Sequence, residues 1–347
     1  MSSATVVDVG RLRWVAWSVL VLVVAACGDP GVEPADGPGT AADGPLLFPA
    51  GTPLGDGFVV PDASVALTQP IVDPNLMTSP PSWSVELVPS DPVAAMNDLI
   101  AQARGLGFEL GSHAPTPCTY DDDVPESGTT NQAPWPPPDG QPVPRSVSCS
   151  VGGFREREGI AERLWLTTSF GYRDALPGSA GGSGDVSLEQ LPAGSLDGPF
   201  GGHAVPVEPI APLPSDWETD DPPPAPALAA GDALVPTDDP YLWQHWVPRL
   251  VDGSRLVVPT RTPVCQGGFA AVLDVTGDPD EVMAGYVEQL QEWSAEFGQP
   301  PTTTEGTLFD RRVVHSVSSV DGTSLHAIMV VGLDGEPTRL SYSICPG

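Results

Sequence analysis

Asp91-Pro92-Val93-Ala94-Ala95-Met96 and, 187 residues later, Asp278-Pro279-Asp280-Glu281-Val282-Met283 decide how this chain is read. Each begins as a helix begins. An aspartate side chain accepts hydrogen bonds from the free amides of the first turn, and proline, which has no amide to lose, suits the first helical position. Glu281 completes a D-x-x-E capping box in the second copy. Downstream, Val93, Met96, Leu99, Ile100 and Ala103 fall on one helical face, and Val282, Met283, Tyr286, Leu290 and Trp293 fall on another. Gln102 and Gln289 match at the same offset.

Outward from the helices the pattern repeats. A strand is expected before each, over Trp83 to Val88 and Phe269 to Val275. Asp62-Ala63-Ser64 and Asp252-Gly253-Ser254 open the apolar runs further upstream. After each helix come β-rich segments: Arg145 to Val151 resembles Arg312 to Ser318, and Leu164 to Phe170 resembles Leu325 to Val331. Asp321-Gly322 is a two-residue hairpin turn. The expectation is an α+β protein made of two related copies of strand, helix and antiparallel meander. Each copy is a small sheet with one helix on one face, the simplest way to bury both apolar surfaces. The boundaries read as 58–175 for the first copy, with a Pro/Asp-rich insertion, and 241–347 for the second. Residues 176–240 read as an acidic, proline- and glycine-rich linker.

Residues 1–26 read as a signal segment. Arg11 and Arg13 precede 13 residues from Trp14 to Ala26, mostly apolar. That is short of the roughly 20 residues a spanning helix needs. The run ends Val24-Ala25-Ala26-Cys27. These features resemble the signal peptide and lipobox of bacterial lipoproteins. The resemblance implies cleavage before Cys27, a diacylglyceryl thioether on its thiol, and attachment at the extracytoplasmic face of the cell membrane. Residues 27–57, rich in Pro, Gly, Ala and Asp, then read as a lipidated cysteine and flexible tether.

All 14 basic residues are arginine, a usage that resembles high-GC actinobacterial proteins, and the net charge is −31. Nucleic-acid binding needs a basic stripe, and none is present. Membrane attachment must therefore come from the lipid at Cys27 rather than from charge. Four other cysteines, Cys118, Cys149, Cys265 and Cys345, allow three disulfide pairings in an exported chain. Cys118 with Cys149 and Cys265 with Cys345 keep each bond inside one copy.

No catalytic motif is legible, and no cofactor or metal is expected. His113, His203, His245, His315 and His326 have no metal spacing; His315 and His326 lie on neighbouring expected strands and read as surface residues. No serine is tied by spacing to a histidine and an acid. Asp121-Asp122-Asp123 reads as a solvated acidic loop, with a calcium site as the rival reading. Tyr241-Leu242-Trp243-Gln244-His245-Trp246 reads as packing, with a binding face as the rival. The expected function is a non-enzymatic envelope lipoprotein that binds a partner or ligand or serves as an accessory subunit. The alternatives are an envelope hydrolase whose residues converge only in the fold, and a calcium-stabilised adhesion module.

Overall fold

The computed structural model describes residues 46–72, 82–122, 131–138, 146–171, 181–196, 198, 201–214, 225–235, 246–261, 268–295, 300–320 and 323–345. The first half comprises β1 (Pro53–Gly55), β2 (Phe58–Val59), β3 (Ser64–Ala66), β4 (Ile71–Val72), β5 (Trp83–Pro89) and α1 (Pro92–Gly105). It continues with β6 (Glu109–Ser112), β7 (Cys118–Asp122), β8 (Asn131–Pro134), β9 (Ser146–Arg157), β10 (Ile160–Gly171), β11 (Gly181–Pro192) and β12 (His203–Ala204). The second half comprises β13 (Ser254–Leu256), β14 (Phe269–Val275), α2 (Pro279–Ala295), β15 (Thr302–Leu308), β16 (Arg311–Val320), β17 (Thr323–Val330) and β18 (Thr338–Cys345).

The main path of the first sheet runs β12-β6-β9-β10-β11-β5-β3, and the second sheet runs β13-β14-β18-β17-β16-β15. Every pairing is antiparallel. With β12 and the strands off this path (β1, β2, β4, β7 and β8) set aside, and the remaining strands ranked within each half, the two orders are the same read in opposite directions. The strand before the helix lies between a short edge strand and the last strand of the meander.

Both helices start where the sequence places them. Asp91 Oδ1 accepts from the amides of Val93 and Ala94, each at 2.9 Å. Asp278 Oδ1 accepts from Asp280 and Glu281 at 3.0 and 3.1 Å. The expected apolar faces are buried. Gln102 and Gln289 do one job: each carbonyl oxygen accepts the amide of the segment entering the edge strand, Val59 at 3.0 Å and Arg249 at 2.8 Å. Ala63 and Gly253 both turn with positive φ, 56° and 76°. Their carbonyls receive the amides of Ser90 and Gly277 at 2.8 and 2.9 Å.

Similar backbone hydrogen bonds also occur further upstream in both halves. Gly51 donates to Val60 and Gly231 to Leu250, both at 2.8 Å, while Val60 and Leu250 donate back to Thr52 and Asp232. Phe48 and Leu54 belong to the first core and Leu234 and Val235 to the second. Part of the expected tether is thus held to the first core through Phe48 and Leu54, and part of the expected linker to the second through Leu234 and Val235. Two further pieces of the expected linker differ. β11 pairs with both β10 and β5. Asn97 and Arg104 on α1 hold the backbone of Ile210 and of Val205 to Val207. The glycines that make β11 look like linker are required by crowding: a β-carbon at Gly182 would lie 1.9 Å from the Pro89 carbonyl oxygen.

Hairpin turns join β9 to β10 and β16 to β17. Arg157 pairs with Ile160 and Val320 with Thr323. These two turns lie 163 residues apart, whereas the side-chain similarities in the sequence run at offsets of 167 and 161.

Residues 44–347 form one compact unit. The weld between the halves is the helix-free face of the second sheet. Val314, Ala327, Met329, Leu340 and Tyr342 point toward α2, whereas Val313, Ile328 and Val330 join the first-half core. Leu67, Val257 and Val272 make a small shared cluster. Arg339, fully buried, pairs with Asp274 at 2.5 Å and donates to the carbonyls of Leu67 and Leu46. Arg261 pairs with Glu86 across the same boundary.

Candidate functional site

Strand geometry joins three residues of two neighbouring strands into one hydrogen-bonded chain. Side chains alternate along a strand, so Ser324 and His326 of β17 share a face. Val317 lies opposite His326 and Ile328 opposite His315, which makes the two histidines diagonal neighbours on that face. His315 Nε2 and His326 Nδ1 are 3.1 Å apart, and His326 Nε2 is 2.8 Å from Ser324 Oγ. The rings are tilted by only 20° with centroids 5.4 Å apart. That spacing is what a 3.1 Å contact gives when both nitrogens lie on the line between ring centres, so the hydrogen bond is in line.

Both histidines are buried, at 5% and 6% exposure, where the sequence suggests surface positions. The cause is tertiary: their face of the sheet is the one pressed against the first half. Burial, and then the neighbouring charge of His315, pushes His326 down to about 4. Burial alone lowers His315. At pH 7 both rings are neutral, and a neutral imidazole donates from one nitrogen and accepts at the other. One consistent arrangement has Ser324 donating to His326 Nε2 and His326 Nδ1–H donating to His315 Nε2. The sequence signal was the Ser324-Leu325-His326 spacing, which has meaning only once the segment is known to be a strand.

A second surface lies on the first sheet. Trp83, Val85, Leu87, Leu164, Leu166, Val186 and Leu188 are buried on the α1 side, and Thr168 Oγ1 donates to the Pro92 carbonyl there at 2.7 Å. The opposite face, with Glu86, Asp185, Ser187, Arg163, Trp165 and Thr167, is half-buried. Trp165 lies between Gly152 and Ser187 in the register, and the His113 ring is 5.9 Å away.

The other sequence candidates are dispersed. Cys118 and Cys149 form a disulfide between β7 and β9. Cys345 closes β18, while Cys27 and Cys265 lie outside the described residues. Asp121 and Asp122 sit in β7 opposite Gln132 and Asn131, and Asp123 lies outside the described residues. Among the described residues no three His, Cys, Asp or Glu side chains are placed to hold a metal ion. His203 is exposed in β12. Trp246 packs on the second core; Tyr241 to His245 lie outside the described residues.

No family model matches the chain, and no curated protein matches it. Solved structures give only faint likenesses. Dehydratases from type I polyketide synthases are 12% identical over 80% of this chain and 98% of theirs, with a TM-score of 0.16. The acyl-CoA thioesterase II TesB2 from Mycobacterium marinum is 11% identical over 77% of this chain and 91% of its own, with a TM-score of 0.13. The PpsC dehydratase domain from Mycobacterium tuberculosis is 10% identical over 80% and 96%, with a TM-score of 0.13. TM-scores this low carry no argument about fold or chemistry.

Proposed function

We propose that this chain is an exported, lipid-anchored envelope lipoprotein that docks or assists a partner protein, built from two copies of one module. The duplication reading rests on the shared strand order, the twin aspartate caps and the twin glutamine clamps. On that reading the modules begin near Pro49 and Ala229, upstream of residues 58 and 241. The observation that carries the docking role is an asymmetry between equivalent surfaces. The helix-free face of the second sheet is buried in the weld, whereas that of the first is half-buried, with Glu86 and Val88 on β5 drawn into the weld. The first face presents Trp165 among hydroxyl and carboxylate groups, the mix of aromatic anchor and polar surround that protein contacts favour. Anchoring rests on Val24-Ala25-Ala26-Cys27 and the preceding apolar run. A lipid anchor fits a net charge of −31, which resists electrostatic adhesion to anionic head groups.

The test is crosslinking on intact cells, then detergent extraction and mass spectrometry, with Cys27→Ala beside the native chain. The reading expects one abundant envelope protein recovered with the native chain, and Cys27→Ala released from membranes. Equal membrane retention of Cys27→Ala would remove the anchor, and recovery of no protein partner would remove the docking role.

A further inference from the structure

A docking role leaves the Ser324–His326–His315 chain unused, and keeping it is costly. Two imidazoles are withdrawn from water, and hydrogen bonding compensates only in part. We propose that Ser324 is a nucleophile, with His326 as its general base and His315 as the residue that positions His326, and that it takes an acyl group from a small uncharged ester.

The geometry supplies each role. Ser324 Oγ is 2.8 Å from His326 Nε2, within reach for direct proton transfer. The in-line contact at Nδ1, 3.1 Å from His315 Nε2, fixes the ring so that Nε2 faces the hydroxyl. In the reaction Ser324 Oγ attacks the carbonyl carbon while its proton passes to His326 Nε2. The imidazolium is held by its Nδ1–H bond to neutral His315. The tetrahedral centre then collapses, the carbon–oxygen bond to the alcohol breaks, and the alkoxide leaves with the proton from Nε2. An acyl ester on Ser324 remains, and water releases it by the same route in reverse.

The neighbours define the substrate class. In the register His326 lies between Val317 and Ser343, and His315 between Thr304 and Ile328. None of these carries a charge. Arg339 and Asp274, on the same face further along, neutralise each other. Such a surface favours an uncharged acyl chain. Ser324 is half-buried, less enclosed than the two histidines behind it. His326 is a weak base as well as a neutral one, which favours activated esters over amides.

The test is reaction of the full chain with a fluorophosphonate, in which the Oγ–P bond forms, the P–F bond breaks and fluoride leaves. Mapping the modified residue in the native chain needs no variant and should place the label on Ser324 alone. His326→Gln should slow labelling by about 100-fold, at the low end for loss of a general base. The native rate should rise through about pH 4 and stay flat to pH 8. In His315→Gln the labelling rate per folded molecule should fall, because the His326 ring loses the contact that fixes it; a purely structural His315 would leave the rate per folded molecule unchanged. Labelling spread over other serines, an unchanged rate in His326→Gln, or a rate climbing steadily to pH 9 as for a free hydroxyl would each overturn the proposal.

Discussion

Acidification should loosen this protein through His326, by an amount the burial of that ring sets. Unfolded, the imidazole takes a proton near its ordinary value of 6.5; folded, it does so only near 4. Its neutral form therefore contributes stability that is complete above pH 6.5, declines as the pH falls, and is gone below about 4. A difference of that size is worth about 3 kcal/mol. His315, also lowered by burial, acts in the same direction. Total stability is a poor readout, because protonating carboxylates in a chain of net charge −31 relieves self-repulsion over the same range. The useful quantity is the difference between the native chain and His326→Gln, which bears the same background. Urea unfolding followed by the fluorescence of nine tryptophans gives it at pH 7.5, 5.5 and 4. Between the first and last of these, His326→Gln should gain about 3 kcal/mol relative to the native chain. A gap that stays constant from pH 7.5 to 4 would refute the reasoning.

Two further outcomes are expected. Asp274→Asn leaves the fully buried Arg339 guanidinium without its carboxylate, and should cost about 3–5 kcal/mol by urea unfolding; a loss below about 1 kcal/mol would mean that the carbonyls of Leu46 and Leu67 suffice. Replacing Cys118 and Cys149 together by alanine opens a loop with a sequence separation of 31, which lowers stability by up to about 3.7 kcal/mol in the chain-entropy picture. An unchanged urea midpoint would show that the β7–β9 pairing holds that loop by itself.

Local chemistry was legible in the sequence, and long-range packing was not. The Asp91 and Asp278 caps and both apolar helix faces follow from residues within a few turns of one another. The match of Gln102 with Gln289 was visible too, though its meaning was not, because their partners, Val59 and Arg249, lie some 40 residues away. β11 was hidden by its glycines, of which Gly182 and Gly184 are needed because neighbouring strands press close, not because the chain must flex. His315 and His326 were rightly set side by side, yet their burial depends on what covers their sheet, and that cover comes from the other half. The buried role of Arg339 is likewise set by distant partners, Asp274, Leu67 and Leu46. The site was therefore readable as a list of residue types on two strands, but not as a connected chain of hydrogen bonds.

Arg339 also determines how the molecule takes mechanical load. It sits in β18, between β14 and β17, and reaches back to the carbonyl of Leu46, near the other end of the sequence. Phe48 is held beside it by the bridge to Ala66 and lies under the same guanidinium. Tension applied to the polypeptide ahead of Leu46 is thus met by a strand from the far end of the sequence, in the interior of the second sheet. The chain resists such a pull as a closed clasp, with force shared across both halves, rather than peeling open one strand at a time from its leading edge.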